Sequence, residues 1–265
     1  MTGPGTETRG FFAPGPQPAA GRPRIVAHRG FSAVAPENTL AALRAALRSR
    51  ADGVEFDVQC SMDGHLVLLH DDTLDRTTDG TGPAGARELR ELRALDAGSW
   101  FSPDFRGEAI PTLGEALDLL APAGCVIFCE LKGPAPPEVV DEACGMVRRR
   151  GLQGVTRMIS LDWKALERVR HHHPGIAVGV VVEHSRDLEE GLRLAAARRG
   201  DLLDPDYRLL LARPDVAQAA RERGVAMAAW TVNDLESAAA AWGLGVGDLT
   251  TDQVDRLLDW SLEQG

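Results

Sequence analysis

From Ile25 to its last residues the chain alternates short apolar runs with amphipathic stretches, eight of each. Few architectures accept that order. The apolar runs are Ile25–His28, Val54–Val58, Val126–Glu130, Arg157–Ser160, Ala177–Val182, Leu202–Leu203, Val225–Thr231 and Asp248–Thr250. Helical periodicity marks Thr39–Arg50, Leu113–Leu120, Glu138–Arg150, Trp163–His172, Leu188–Arg198, Pro214–Arg223, Leu235–Trp242 and Gln253–Leu262. Asn38 is placed to cap the first helix, and glycines such as Gly53, Gly151 and Gly224 follow helix ends. A helix between successive strands carries the chain back to its starting edge, so the strands run parallel. Eight such units in about 240 residues match a closed (β/α)8 barrel. An open doubly wound sheet is the alternative, but no G-x-G-x-x-G follows the first strand. The run at Leu202 is the weakest strand, because "DLLDPDYRLL" carries acids and a proline.

One segment breaks the alternation. Leu66–His70 also reads as a strand, yet only "CSMDGH" separates it from the second strand. A parallel crossover needs a dozen or more residues, so this connection is a hairpin turning at Asp63-Gly64. Folding back about that turn brings His70 near Glu55. The chain then continues as an insertion, about 59–111 with the hairpin included, which can cap the C-terminal rim and is too thinly apolar for a core of its own. Residues 1–23 are Gly- and Pro-rich and read as a disordered tail. Residues 24–265 form the barrel domain.

The charge balance narrows the partners. With 29 basic and 39 acidic residues the net charge is -10, which opposes binding to nucleic acid or an anionic lipid surface. A small phosphate ester remains compatible, since a local cation reverses the local field. The chain contains no apolar run of the ~20 residues that a membrane helix needs. No export signal is evident, so a cytoplasmic location and reduced thiols are expected for Cys60, Cys125, Cys129 and Cys144. Oligomeric state leaves no mark in the sequence.

Within "VEFDVQCSMDGHLVLLHDD", Glu55 and Asp57 are two residues apart on one strand and therefore share a face. Two ionised carboxylates in a dry interior repel and lose hydration, and a cation removes both costs. Glu130 ends another strand in the same way. Three oxygen ligands without a thiolate suit a hard divalent ion, Mg²⁺ or Ca²⁺. A buried ion network of these acids with Arg29 and Lys132 is the competing arrangement. Active sites lie at the C-terminal face of such barrels, and all three acids fall there. His28 ends the first strand and His70 returns to the same rim, a pair able to divide acid and base duties. Arg29 and Lys132 suit a phosphate, one as a fork and the other as a point charge.

The successive stretches "AHRGFSAVAPENTLAAL", "GVEFDVQCSMDGHLVLLHDDTLDRTTDGTG", "LDAGSWF", "IPTLGEAL", "ELKG" and "WTVND" resemble the motifs of the glycerophosphodiester phosphodiesterase family, in order from Ile25 to Asp252. The resemblance implies a TIM-barrel hydrolase that splits a small-molecule glycerophosphodiester into sn-glycerol 3-phosphate and an alcohol. It implies Glu55, Asp57 and Glu130 as metal ligands and His28 and His70 as the acid–base pair. Arg29 would hold the phosphate, Lys132 would lie near the phosphate or the glycerol, and Trp230 would line the pocket. Glu37 and Asn38 would support Arg29 or the metal ligands. Family mechanisms imply attack by the glycerol 2-hydroxyl through a cyclic phosphate. The last strand, "GVGDLTTD", departs from the usual family pattern, with little consequence expected for chemistry.

Two further readings compete: a phospholipase D-like lyase that stops at the cyclic phosphate, and a barrel that only binds phosphate esters. The His171-His172-His173 run ends a helix leading into the next strand, on the face opposite the chemistry, and reads as a polar helix end.

Overall fold

The computed structural model describes residues 21–265. Of the expected tail, residues 1–20 lie outside the described residues. Arg22 forks onto Asp52 at 2.8 and 2.6 Å.

The elements follow in the order β1 (Arg24–Ala27), α1 (Leu40–Arg48), β2 (Gly53–Cys60), β3 (Leu66–Leu68), α2 (Leu89–Leu92), α3 (Leu113–Leu120), β4 (Val126–Leu131) and α4 (Pro137–Arg149). They continue with β5 (Thr156–Ser160), α5 (Trp163–His172), β6 (Ala177–Val182), α6 (Leu188–Ala195), β7 (Leu202–Pro205), α7 (Tyr207–Ala212) and α8 (Pro214–Glu222). Last come β8 (Ala226–Ala229), α9 (Leu235–Gly243), β9 (Asp248–Thr251) and α10 (Val254–Gln264). Every strand but β3 pairs parallel to its neighbours, and β1 pairs with both β2 and β9, which closes the ring. The chain is therefore the expected (β/α)8 TIM barrel with a β-hairpin after the second strand.

Strand periodicity sorts the side chains into two layers. One parity, including Ile25, Phe56, Ile127, Met158, Val180 and Leu249, packs outward against the helices in the main core. The other parity, Val26, Val126, Phe128, Ile159, Val181, Leu202 and Ala228, forms a separate apolar belt inside the barrel. Below the belt Arg24 forks onto Asp248 at 2.5 and 2.7 Å. Above it, at the C-terminal ends, the inward positions turn polar, and there the site lies.

Three local readings need correction. Thr39, not Asn38, caps α1, accepting from the Ala42 N–H at 3.2 Å. Asn38 sits left-handed at φ 56° and serves the site instead. α7 is concealed in the sequence pattern, because Pro205 and Asp206 give the whole stretch the look of a poor strand. In fact β7 ends at Pro205, and Asp206 accepts from the Arg208 N–H at 2.9 Å to start a helix. Finally, the insertion does have a small core: Leu74, Ala84, Leu92, Ala97 and Ile110 pack on Val67 and Leu69 of the returning hairpin. Those residues are too far apart in sequence to show a period. Asp96 gathers the loop by accepting from the N–H groups of Gly98, Ser99 and Gly107.

Candidate active site

The hairpin works as its spacing required. Val58 faces Leu68 and Cys60 faces Leu66 across an antiparallel pair, with Gly64 left-handed at φ 83° in the turn. The Leu69 N–H still bonds the Asp57 carbonyl at 3.1 Å, so His70 is delivered to the rim just above the acids.

Asp57 and Glu130 are register partners across β2 and β4, and Glu55 lies two residues below Asp57 on the same inward face. Ligand oxygens of the three carboxylates all fall within 4.8 Å of one another. Arg29 and Lys132 do reach them: Arg29 Nε is 3.3 Å from Asp57 Oδ2, and Lys132 Nζ is 3.1 Å from Glu130 Oε1 and 3.4 Å from Asp57 Oδ1. The network is nevertheless short of positive charge. Two cations face three carboxylates, and one of them, Arg29, also serves Glu37 at 2.6 Å. Glu55 Oε1 is buried with no hydrogen-bond partner. The electrostatics agree. Burial and the charges of Asp57 and Glu130 push the Glu55 carboxyl well above the usual range. Burial and the Asp57 charge lift Glu130 to about 7. Burial alone would raise Asp57 too, but Lys132 and Arg29 hold it below the ordinary carboxylate range. Clustered oxygens, no thiolate and one orphaned buried carboxylate oxygen fit a hard divalent cation.

The H-R-G and P-E-N-T segments lock together around this cluster. Arg29 is left-handed at φ 54°, and its N–H donates to Glu55 Oε2 at 2.7 Å. Its carbonyl accepts from the Asn38 N–H at 3.0 Å. Gly30 is obligatory: a Cβ there would lie 2.6 Å from the Ala42 carbonyl carbon, so α1 backs directly onto this turn. Asn38 donates to Asp57 Oδ2 at 2.8 Å and accepts from the Asp57 N–H at 3.1 Å. Glu37 bonds both Arg29 and Arg76, the latter at 2.7 and 2.8 Å.

Each histidine is oriented by a carboxylate. His28 Nδ1 lies 2.7 Å from Asp252 Oδ1, and His70 Nδ1 lies 2.7 Å from Asp71 Oδ1. A carboxylate on Nδ1 holds that proton in place and leaves Nε2 for the ligand. Burial depresses the His70 pKa, although Asp57 opposes the shift. Arg76 and His70 hold Asp71 below its usual range. Burial would raise Asp252, but hydrogen bonds from His28, Asn233 and Ser32 bring it to about 2.

His28, Arg29, Glu55, His70, Glu130, Lys132 and Trp230 all line one pocket of about 130 Å³. Glu183, Asp204 and Thr250 are among the other residues of its wall. Neither these three nor the orienting groups Asp252 and Arg76 emerge from the sequence, where Asp71 stands out only as the neighbour of His70, without a role. The signal for four of them was present, since Glu183, Asp204, Thr250 and Asp252 continue the inward parity of β6, β7 and β9. The departure in the last strand thus leads straight to a site residue: Asp252 holds His28. The triple-histidine run stays outside the site. His173 is buried with its Nε2 3.0 Å from Asp141, and none of the three histidines lines the pocket.

As a class, a parallel barrel whose C-terminal mouth joins an acidic cluster, two phosphate-sized cations and two oriented imidazoles is an enzyme scaffold for phosphate-ester chemistry. Comparison with known proteins narrows the class. The chain belongs to the glycerophosphoryl diester phosphodiesterase family, whose sequence model matches residues 28–256. A glycerophosphodiester phosphodiesterase of Caldanaerobacter subterraneus subsp. tengcongensis is 32% identical over 237 residues, covering 89% of this chain and 96% of its own. The crystal structure of a glycerophosphodiester phosphodiesterase from Agrobacterium tumefaciens superposes with a TM-score of 0.75 at 31% identity, covering 88% of this chain and 97% of its own. An Oleispira antarctica phosphodiesterase, solved in complex with the product sn-glycerol-3-phosphate, superposes with a TM-score of 0.81 at 30% identity over 91% and 97% of the two chains.

Proposed function

We propose that the chain hydrolyses glycerophosphodiesters to sn-glycerol 3-phosphate and an alcohol, with a divalent cation on Glu55, Asp57 and Glu130 and acid–base catalysis by His28 and His70. The observation that carries this reading is the convergence of two carboxylate-oriented imidazoles and a cation-deficient carboxylate cluster on one pocket. Family membership and the product bound by the Oleispira relative support the substrate class.

The diester's phosphate would lie against Arg29 and Lys132, whose charges are maintained by Glu37, Asp57 and Glu130. Burial alone would lower the Lys132 pKa, but Asp57 and Glu130 raise it, so the ammonium stays charged. One imidazole Nε2 takes the proton of the glycerol 2-hydroxyl as its oxygen bonds phosphorus. The other histidine protonates the departing alcohol oxygen as its bond to phosphorus breaks. Water then opens the cyclic phosphate with the two histidines in exchanged roles. When bound, Mg²⁺ or Ca²⁺ would supply positive charge to the phosphate oxygens as negative charge accumulates there. Asp252 and Asp71 stabilise whichever imidazolium forms. The substrate is a small molecule, consistent with a net charge of -10 and a narrow pocket. No helix among the described residues is long and apolar enough to cross a membrane.

The test is ³¹P NMR of the purified protein with glycerophosphocholine and Mg²⁺ or Ca²⁺, with and without EDTA. A glycerol 3-phosphate signal that EDTA abolishes is expected. A cyclic phosphate that accumulates and persists would replace the hydrolase reading with the lyase. No turnover on a panel of glycerophosphodiesters would leave a binding barrel.

A further inference from the structure

The pocket contains an acid with no assigned task. Asp204 ends β7 on the inward parity, above Leu202 of the apolar belt and beside Val181 in register. It is 1% exposed, and its Oδ1 is buried without a hydrogen-bond partner. Its carbonyl is occupied, accepting from the Trp230 indole N–H at 3.0 Å, which fixes that ring against the same wall. A lone buried polar atom destabilises a fold, so it calls for an explanation outside the resting fold. Here the residue that carries it lines a ligand pocket and, on the inward parity of β7, points away from the helix layer.

The surroundings specify what it would bind. The cations of the site, Arg29 and Lys132, are engaged by Asp57, Glu37 and Glu130 on the β1, β2 and β4 side. Burial above all, and then the negative charges of Glu130 and Asp248, raise the Asp204 carboxyl well above the usual range. An anionic phosphate is repelled from this side of the pocket and attracted to the other. A neutral hydroxyl satisfies the Asp204 oxygen in either protonation state, since an alcohol both donates and accepts. Thr250 and the half-buried Trp230 flank the same wall and suit a short polyol with carbon edges.

We propose that Asp204 is the hydroxyl-reading residue of this pocket: its carboxyl group hydrogen-bonds a glycerol hydroxyl of the substrate and selects glycerol esters over phosphate esters whose chain lacks hydroxyls. The inference rests on the phosphodiesterase reading and deepens it. It also sets the ligand's direction, with the phosphate toward β1 and β4 and the glycerol toward β7.

Two phosphate monoesters of equal length test it, sn-glycerol 3-phosphate and 1-propyl phosphate, measured as inhibitors of glycerophosphocholine turnover. The wild-type protein should prefer the glycerol compound. Asp204→Leu should lose about tenfold of that preference, the value of one buried hydrogen bond. Asp204→Asn, which still donates and accepts, should keep most of it. Asp204→Ala, which removes the group without adding bulk, must reproduce the loss. The Leu variant should also melt at or above the wild-type temperature, because an unpaired polar group leaves the interior; a purely structural role predicts a lower melting temperature with the preference intact. An unchanged ratio in both Leu and Ala variants overturns the assignment, as does a wild-type protein without preference. Failure of the underlying reading shows separately, as absence of glycerophosphocholine turnover by the wild-type protein.

Discussion

Glu55→Gln separates the cation-binding role of the acidic cluster from a purely structural one, because the two roles predict opposite signs. In the metal-free protein Glu55 is a burden. Its carboxylate shares a space where ligand oxygens lie within 4.8 Å of those of Asp57 and Glu130. At an effective dielectric of about 20, unit charges at that separation repel by about 3.5 kcal/mol per pair. Arg29 offsets part of this, and uptake of a proton limits the rest. Removing the charge should therefore stabilise the metal-free protein by on the order of 1 kcal/mol, which raises Tm by about 2–4 °C for a chain of this size. The response to metal should move the other way. At a cation concentration of about 100 Kd the wild type gains about 2.7 kcal/mol, an upward shift of roughly 5–10 °C. The Gln variant, with one charged ligand gone, should lose most of that shift. Differential scanning calorimetry in EDTA and then in Mg²⁺ or Ca²⁺ reads both numbers from one sample. If Glu55 only anchors the Arg29 N–H, the variant melts lower in EDTA and responds to metal as the wild type does, and the cation-site argument fails.

Further outcomes follow from the same geometry. His28→Ala and His70→Ala should each lower kcat by about 10²–10⁴ while leaving the metal-induced Tm shift in place, checked by turnover and calorimetry on the same preparations. Near-full turnover in either variant removes that histidine from the acid–base pair. Asp252 has a folded pKa of about 2 against an ordinary 3.8, so its contribution to stability is complete above about pH 4 and is lost as pH falls through 2. Asp252→Asn should therefore lose stability at pH 6 but little at pH 2, as urea denaturation at the two pH values would show. The same variant should also lower kcat, since His28 loses the group on its Nδ1. Glu37→Gln should raise KM on the order of tenfold with a smaller effect on kcat, because both Arg29 and Arg76 lose a charged partner. His172→Ala, on the opposite barrel face, should alter neither turnover nor metal response.

What could be read from the sequence follows the distance over which residues interact. Glu55 and Asp57 were legible because a strand has a period of two and both acids lie on one strand. His70 was legible because a six-residue connection admits only a hairpin. Arg29, Glu37 and Asn38 fall within one turn of chain, and their motif pointed to the site, though not to their partners. Asn38 shows the limit: a residue of good capping type precedes a helix, but its left-handed backbone turns the side chain toward Asp57, and the next residue takes the cap.

Among the residues hidden in the sequence, Asp252 and Asp204 take their meaning from closure of the ring. His28 and Asp252 are 224 positions apart in sequence and meet only because β9 pairs with β1, with Ala27 opposite Thr251. The Asp204 side chain gains its significance from the pocket wall to which it belongs, its Oδ1 having no hydrogen-bond partner. An inward-parity scan of each strand's last residues would have found both, since Glu183, Asp204 and Asp252 are polar where the lower belt is apolar. Such a scan requires the strand ends to be known to within one residue, because a slip of one exchanges pocket and core. At β7 that precision was missing: the proline and acids that blurred the strand are the residues that end it at the pocket. The ambiguity and the function have a common cause, since a buried acid at a strand end weakens the strand pattern and is there to meet a ligand.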